Sequence, residues 1–324
     1  MLSRVADSLY WMSRYIERAE QTARILDVHL TLMLDQFPGS ATVRWHRLLT
    51  SLCLDTQELE ELDPKALTYS LTCDADNAAS IHACVAAARE NARQIRDAIS
   101  SEMWEQINRL YFLTKDADFE DVWREGHAEF LTVVKQGCHL VQGVTDSTLS
   151  HGEGYQFIQM GRYIERSLMT IALLEAYRDF YGSGGAEANS SAVAHLDWVA
   201  LLKSCTAFEA YCRRYTANLK KTKILEFLLL DPIFPHSVRF SVDRLYCALR
   251  SVKEGQTDWD TSATDKLAGR LSAVLTYSDI NEILEGDIGH FFKEIRERCE
   301  KIHSAINKVF IAYPLEKELE ESAS

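Results

Sequence analysis

The sequence is poor in the residues that interrupt helices. Only 5 prolines and 14 glycines occur in 324 residues, which disfavours a turn-rich β fold and favours long helices. No stretch approaches 18 uninterrupted apolar residues, and the first residues lack the apolar core of a signal peptide. We therefore expect neither a membrane span nor a secretory leader.

The cysteines do not form a recognisable framework. The chain has 8 cysteines but no Cys-x-x-Cys pair and no dense cluster. Most of them lie among apolar neighbours in helix-like segments, as buried free thiols do in a reducing compartment. This pattern predicts a cytoplasmic protein.

Several classes of functional site are also missing. The sequence has no phosphate-binding glycine loop, dinucleotide fingerprint, G-x-S-x-G nucleophile turn or zinc-ligand spacing, and it lacks the paired Glu-x-x-His motifs of a di-iron bundle. A net charge of −13 without a basic run disfavours nucleic acids and anionic membranes as partners. We therefore predict no metal, no cofactor, no nucleic-acid partner and no membrane partner.

What the chain does contain is a repeated pentapeptide. The sequence RYIER at 14–18 recurs unchanged at 162–166, which is 148 residues later. Further matches follow in the same order at a slowly growing offset: Trp45 with Trp198, Asp74 with Asp231, and Cys138 with Cys299. This order predicts an internal duplication, with one unit at 1–150 and a second at 151–324.

The apolar residues recur with helical spacing. Along 3–35 they step by three and four residues, which predicts one long amphipathic helix, and the second RYIER segment repeats the same phase. Further helices are predicted near 42–62, 77–112, 118–148, 192–219 and 263–312. The expected fold is all-α, with about eight to ten helices in two pseudo-symmetric units that pack together.

The charges of the RYIER motif allow two interpretations. Ile16 lies on the apolar seam of its helix, whereas Arg14, Glu17 and Arg18 do not. The first interpretation is a second packed face with Arg–Glu pairs buried between helices. The second is an anion site, because guanidinium groups suit carboxylates and phosphates. The candidate ligand contacts are then Arg14, Arg18, Arg162 and Glu165, with Glu17 as a candidate general base.

A second charged segment differs between the units. It runs from Arg89 to Asp97, and of its first five residues only Arg93 keeps its charge in the second unit, as Arg250. We expect a functional site where the sequences of the two units differ. The alternative is that these charges form a solvent-exposed face of a long helix. The candidates are Glu90 and Glu102 as general bases, and Arg89, Asn91, Arg93 and Arg96 as ligand contacts.

A third candidate lies where the units join. Small, polar and acidic residues gather at 143–154, and Asp146 is the candidate ligand contact among them. The alternative is that this stretch only caps the next helix, since Glu153 suits a helix N-terminus.

The sequence resembles bacterial alpha-E proteins over essentially its whole length. The resembling segments are Met1–Glu20, Ala88–Arg93, Ser101–Glu105, Gly143–Asp146, Gly161–Arg166 and Phe234–Arg239. One segment departs from the family pattern: an Arg-Asp-Glu-Gly-Trp-like run is usual before the second helix, and here it reads His151-Gly-Glu-Gly-Tyr155.

The resemblance implies an all-helical protein that is encoded near circularly permuted ATP-grasp proteins and transglutaminase-like peptidases. Its expected partners are therefore an ATP-grasp-type ligase, a transglutaminase-like protein and a peptide. Two functions follow. The chain is either an accessory protein that binds the ligase or its peptide, or an enzyme of amide or peptide chemistry that uses the Glu and Arg residues of the first unit.

Overall fold

The structure, a computed structural model, describes residues 1–33, 41–54, 63–125, 127–178, 192–216, 218–255 and 262–312. Within these ranges the chain is all-α and has no strand. The helices are α1 (Ser3–Met33), α2 (Ala41–Ser51), α3 (Pro64–Thr72), α4 (Ile81–Gln94), α5 (Ser101–Lys115), α6 (Phe119–Glu125), α7 (His127–Thr148), α8 (Glu153–Ala176), α9 (Ala192–Ser204), α10 (Phe208–Tyr215), α11 (Lys221–Leu230), α12 (Val238–Gly255), α13 (Ser262–Tyr277), α14 (Ile280–Glu285) and α15 (Ile288–Asn307).

The fold class agrees with the sequence prediction, but the helix number does not. Fifteen α-helices occur in the described residues, whereas eight to ten were predicted. The difference arises because residues with short polar side chains cap new helices inside the longer predicted ones. Helix α4 ends at Gln94, and Ser100 caps the start of α5 by accepting a hydrogen bond from Met103 N, so the predicted 77–112 helix is divided in two. Asp279 and Asp287 cap α14 and α15 in the same way and divide the predicted 263–312 segment.

The two RYIER helices, α1 and α8, form the centre of the molecule. They pack against each other, and each also supports its own group of helices. One group contains α1, α4, α5 and α7, and the other contains α8, α12, α13 and α15. Each group resembles a four-helix arrangement around an apolar core, so the α1–α8 contact is where the two cores meet.

The helices of the two groups follow in the same order along the chain. The order α1 to α7 is repeated by α8, α9 and α11 to α15, with α10 as an additional helix. Residues at matching offsets are buried in both halves, as Trp45 and Trp198, and Cys138 and Cys299, show. This is the order that a duplication would produce; the duplication itself and the division at residue 150 stay predictions.

The close approach of α1 to α8 depends on small residues. Ser13 donates a hydrogen bond of 2.7 Å to the carbonyl oxygen of Ile158. At the corresponding position of α8, a Cβ on Gly161 would overlap the carbonyl oxygen of Tyr10. The crossing therefore tolerates no side chain at Gly161, and it places the charged residues of both RYIER motifs opposite each other.

Candidate functional site

The two RYIER motifs pair with each other across the α1–α8 contact. Each motif contains one Glu-Arg dipeptide, which we call the ER pair: Glu17-Arg18 in α1 and Glu165-Arg166 in α8. Arg18 Nε lies 2.6 Å from Glu165 Oε1, and Arg166 Nε lies 2.5 Å from Glu17 Oε1. Each ER pair thus supplies the ionic partner of the other, which is the buried pairing of the first sequence interpretation.

On one side of the contact, Glu165 binds two arginines. Arg14 Nε lies 2.7 Å from Glu165 Oε2, and Arg18 binds the other oxygen. Burial alone would raise the pKa of Glu165, but the charges of Arg14 and Arg18 outweigh it and lower the pKa. Glu165 therefore stays ionised and is a weak base.

Besides Glu165, the guanidinium group of Arg14 contacts Trp11 and His303, and these contacts fix its position. Its guanidinium carbon lies 4.5 Å from the ring centroid of Trp11, and its Nη1 lies 3.2 Å from the ring nitrogens of His303. Burial and the charge of Arg14 lower the pKa of His303 to about 4. A neutral imidazole at this place accepts the hydrogen bond of Arg14 without adding a second positive charge.

On the other side, Glu17 is enclosed by protein. Its carboxylate accepts a second hydrogen bond from Arg166, at 2.9 Å from Nη2, and one from Gln142 at 3.1 Å. Glu17 is 0% exposed. Because its oxygens are occupied and no solvent reaches them, the geometry gives Glu17 a structural role in this state.

An open cleft of about 380 Å³ borders the Glu165 side. Its charged lining consists of Arg14, Arg18, Glu165, Arg296 and Glu300, and its other lining residues are Thr22, Leu52, Cys53, Leu54, Ala78, Ala79, Leu168 and Met169. Pockets of this size accommodate small ligands or a residue of a peptide. Three of the five charges are positive, although the whole chain is acidic.

Two arginines of the cleft, Arg296 and Arg18, differ in how many of their N–H donors are already hydrogen-bonded. Arg296 is held by the carboxylate of Glu175, with Nε 3.3 Å from Oε1, and its Nη1 lies 3.2 Å from Cys53 Sγ. Arg18 donates only its Nε to Glu165, and its terminal nitrogens have no hydrogen-bond partner among the described residues. Since Arg18 is 28% exposed, its free N–H groups are the donors available to a ligand.

The candidates in the 89–102 segment lie outside this cleft. Arg89 donates to Asn108 Oδ1 at 2.6 Å, and its guanidinium lies 4.5 Å from the ring centroid of Tyr111. Asn91 donates to the carbonyl oxygen of Ala87 at 2.8 Å. Arg96 lies over the ring of Trp104 at 4.7 Å. These contacts join neighbouring turns and helices of the first group.

Glu90 and Glu102 are exposed. Glu90 forms two hydrogen bonds with Arg93, of 2.9 and 2.7 Å. These bonds lower the pKa of Glu90 to about 2, far from the value near 7 that suits a general base. Glu102 lies in the first turn of α5, where a carboxylate complements the helix dipole. The catalytic role of these residues stays a prediction.

Asp146 and Arg162 are brought together by α7 and α8. Arg162 Nη1 lies 3.6 Å from Asp146 Oδ1, and the hydroxyl of Tyr155 donates to the same oxygen at 3.1 Å. Asp146 is exposed, whereas Arg162 is buried. Arg162 thus differs from its counterpart Arg14, which binds the opposite ER pair.

Sequence reasoning missed most of the cleft. Arg296 and Glu300 were not among the candidates, because they belong to α15, a distant segment that carries no motif. Thr22 was also missed, although it lies one turn after the first RYIER motif in α1. One available signal was the position-by-position comparison of the two halves, which sets Ala79 against His236. Where one half has a small residue at the position at which the other half has a large one, the half with the small residue has room for a pocket.

The described residues offer neither a cluster of metal ligands nor a helix suited to a membrane. No group of three or more His, Cys, Asp or Glu side chains there is arranged to hold a metal ion. No helix within the described ranges is both long and apolar enough to cross a bilayer.

Comparison with known proteins agrees with the repeated ER pair. The family model Alpha-E, described as a predicted alpha-helical domain with a conserved ER motif, matches residues 1–311. Uncharacterized proteins of Mycobacterium bovis and of Mycobacterium tuberculosis strains CDC 1551 and H37Rv are 25%, 25% and 24% identical over 335 residues. The matches cover 94% of this chain but 36% of each relative, so the chain spans about a third of the curated relatives' length. No solved structure matches the chain.

Proposed function

Because the chain belongs to the Alpha-E family, we propose that it is a non-catalytic partner of an ATP-grasp-type ligase and binds the ligase or its peptide. The ligase, the peptide and a transglutaminase-like protein are the partners that the family resemblance implies. The system would make or modify an amide or peptide bond, and the present chain would position one participant.

The observation that carries this proposal is the cleft beside Glu165, with the free guanidinium nitrogens of Arg18 in its lining. The ER residues themselves are suited to support a site and not to do chemistry. Glu17 and Glu165 accept hydrogen bonds from arginines in buried positions. The charges of Arg14 and Arg18 lower the pKa of Glu165, so this carboxylate does not readily take a proton.

A binding role also fits the rigidity of the cleft. Its walls come from α1, α8 and α15 and from the segments that follow α2 and precede α4. Helices α1 and α8 are joined by the buried ionic pairs. A preformed site loses less conformational entropy on binding than a flexible one. This supports recognition of a partner by a fixed surface.

The direct test is isothermal titration of the full chain with a purified ATP-grasp ligase of the kind that the family resemblance implies, with and without the ligase's peptide. We expect saturable binding with a dissociation constant in the micromolar range, which corresponds to about −8 kcal/mol. An Arg18→Gln variant should bind less tightly, while the surface variant Lys223→Gln, which changes an exposed pair with Glu226 outside the cleft, should match the wild type. Absence of binding by a folded chain at about ten times that concentration would reject the proposal.

A further inference from the structure

The loops that precede α4 and α12 are built alike. In the first, Ser80 Oγ donates to the carbonyl oxygen of Asp74 at 2.5 Å. In the second, Ser237 Oγ donates to the carbonyl oxygen of Asp231. The corresponding residues lie 157 positions apart in the chain. Because the loops share this hydrogen bond at the same spacing, their remaining residues can be compared one by one.

The second loop fills the space beside its own ER pair. Arg166 Nη1 donates to the carbonyl oxygen of Pro235 at 3.3 Å, and Thr170 donates to the carbonyl oxygen of His236 at 3.2 Å. The imidazole of His236 lies 3.1 Å from Gln21 Nε2 and is buried. An arginine and a threonine of α8 therefore bind the consecutive carbonyl oxygens of Pro235 and His236, which form a turn closed by the hydrogen bond from Ser237 N to Phe234 O. The imidazole of His236 fills the space beside this turn.

The first loop leaves the equivalent space open. Ala78 and Ala79 stand 157 positions before Pro235 and His236, and both line the cleft. Arg18 and Thr22, which lie 148 positions before the arginine and the threonine of the filled side, line it too. The hydroxyl of Thr22 and the terminal nitrogens of Arg18 have no hydrogen-bond partner among the described residues, although Thr22 is only 1% exposed.

The wall of the open pocket is apolar where the filled pocket is polar. On the filled side, the residues next to His236 include Glu20 and Gln21. Their counterparts in α8, 148 positions later, are Leu168 and Met169, which line the open cleft. An apolar side chain therefore fits the open cleft better than a polar one, because burying a polar group without a partner costs free energy.

We infer that the cleft binds the C-terminal residue of a peptide, with its carboxylate on Arg18 and Thr22 and an apolar side chain against Leu168 and Met169. The ligand's side chain takes the space that the imidazole of His236 fills on the other side and that Ala79 leaves open. A carboxylate suits the free guanidinium nitrogens of Arg18 better than a neutral carbonyl does, since charge-assisted hydrogen bonds are about twice as strong. The inference names the ligand of the proposed function and rests on that function.

The cleft also sets a limit on the charge of the ligand. The carboxylate of Glu165 is compensated by two arginines, whereas Glu300 is exposed and has no ionic partner among the described residues. Glu300 therefore repels a second negative charge. A peptide with one terminal carboxylate fits the cleft, and one that ends in an acidic side chain does not.

The experiment is isothermal titration of the full chain with three acetylated tripeptides: N-acetyl-Gly-Gly-Leu, its C-terminal amide and N-acetyl-Gly-Gly-Glu. We expect the leucine acid to bind about tenfold or more tightly than either of the others, which is at least about 1.4 kcal/mol. The affinity should fall as salt is added, since an ionic contact at a partly exposed site is screened.

Two variants locate the binding. Ala79→Leu adds a side chain to the cleft lining and should abolish binding of the leucine acid; its melting curve establishes that it is folded. Thr22→Val removes one donor and keeps the volume, and should weaken binding about tenfold or more, as expected for one hydrogen bond to a charged group. Lys223→Gln, which changes an exposed i,i+3 pair outside the cleft, is the control.

Equal binding of the acid and the amide, unchanged binding by folded Ala79→Leu, or no saturation by the acid at millimolar concentration would each overturn the inference. These failures are distinct from failure of the proposed function. If the ligase binds while acid and amide bind equally, only the carboxylate assignment falls. If the acid binds in the cleft while the ligase and its peptide do not, the ligand assignment stands and the ligase partnership falls.

Discussion

Glu17 and Arg166, which lie 149 positions apart, are joined by two parallel hydrogen bonds of 2.5 and 2.9 Å. Both side chains are less than a tenth exposed. Ionic groups lose much hydration free energy on burial, so such a pair adds little net stability but is costly to break. Its main effect is to fix how α1 and α8 are rotated and shifted against each other.

A double-mutant cycle should measure this dependence. Glu17→Gln and Arg166→Gln each leave a buried charge without its partner and should each lower the free energy of unfolding by about 3–5 kcal/mol. The double variant should lose clearly less than the sum, because no uncompensated charge remains. Urea denaturation of the four proteins gives the coupling energy. Additive losses would contradict a direct pairing.

Loss of the Glu165 carboxylate should lower the free energy of unfolding at least as much as loss of Glu17 or Arg166. Glu165→Gln deprives two arginines, Arg14 and Arg18, of their shared carboxylate, and Arg14 is buried. We expect a loss of about 3 kcal/mol or more in the free energy of unfolding, measured by urea denaturation. The control is Glu90→Gln, which breaks an exposed i,i+3 pair and should leave the urea midpoint unchanged. Similar midpoints for both variants would refute the assigned difference.

Two glycines test the close helix crossing. Gly161→Ala places a methyl group against the backbone carbonyl of Tyr10 in α1, so the helices must separate, at a cost of about 1–3 kcal/mol or more. Gly143→Ala is the matched control, because a Cβ there meets no atom within 4 Å. Gly143 lies inside α7, and alanine should stabilise that helix by about 0.5–1 kcal/mol. Thermal melting should therefore shift in opposite directions, and two shifts of the same sign would be inconsistent with this crossing.

The buried histidines should make the protein sensitive to mild acid. Burial, with Arg44 and Arg47 nearby, lowers the pKa of His29 to about 3 from its ordinary value of 6.5. Between these values the unfolded chain binds a proton that the folded chain does not, so stability falls as pH decreases below about 6.5. The slope is at most about 1.4 kcal/mol per pH unit for one histidine.

The measurement is the free energy of unfolding of wild type and His29→Phe at several pH values from 7 to 5. The variant keeps an aromatic ring beside Trp45, whose ring centroid lies 4.3 Å from that of His29, and removes the titrating group. Its pH dependence should be shallower, and part of the dependence should remain because burial also lowers the pKa of His236 and His303. Parallel profiles would exclude His29 as a contributor.

The sequence predicts the all-α class because its evidence is local. Few prolines and apolar steps of three and four residues are enough to identify α1, whose predicted range of 3–35 compares with Ser3–Met33. Helix ends are harder to predict, because Ser100 and Asp287 cap helices inside what look like continuous segments. A single capping residue changes the boundary without changing the periodicity.

The site could be predicted only in part. The charge pattern singled out Arg14, Arg18 and Glu165, but it could not show that Glu165 would accept both arginines from the other helix. That depends on how α1 and α8 are rotated when they pack, which Ser13 and Gly161 determine. Arg296 belongs to α15 and reaches the cleft only through the tertiary fold, so its position cannot be predicted from a local sequence pattern.

The reciprocal ER pairs have a form that is common between separate molecules. A contact in which residue i of one partner meets residue j of the other, and j meets i, is the arrangement of a symmetric homodimer. Two identical chains of half this length would have to fill both pockets or leave both empty. A single chain that contains both halves escapes that constraint. On one side the pocket is filled by the chain's own residues, Pro235 and His236. On the other side Ala78 and Ala79 leave the pocket open, so that it can bind a ligand.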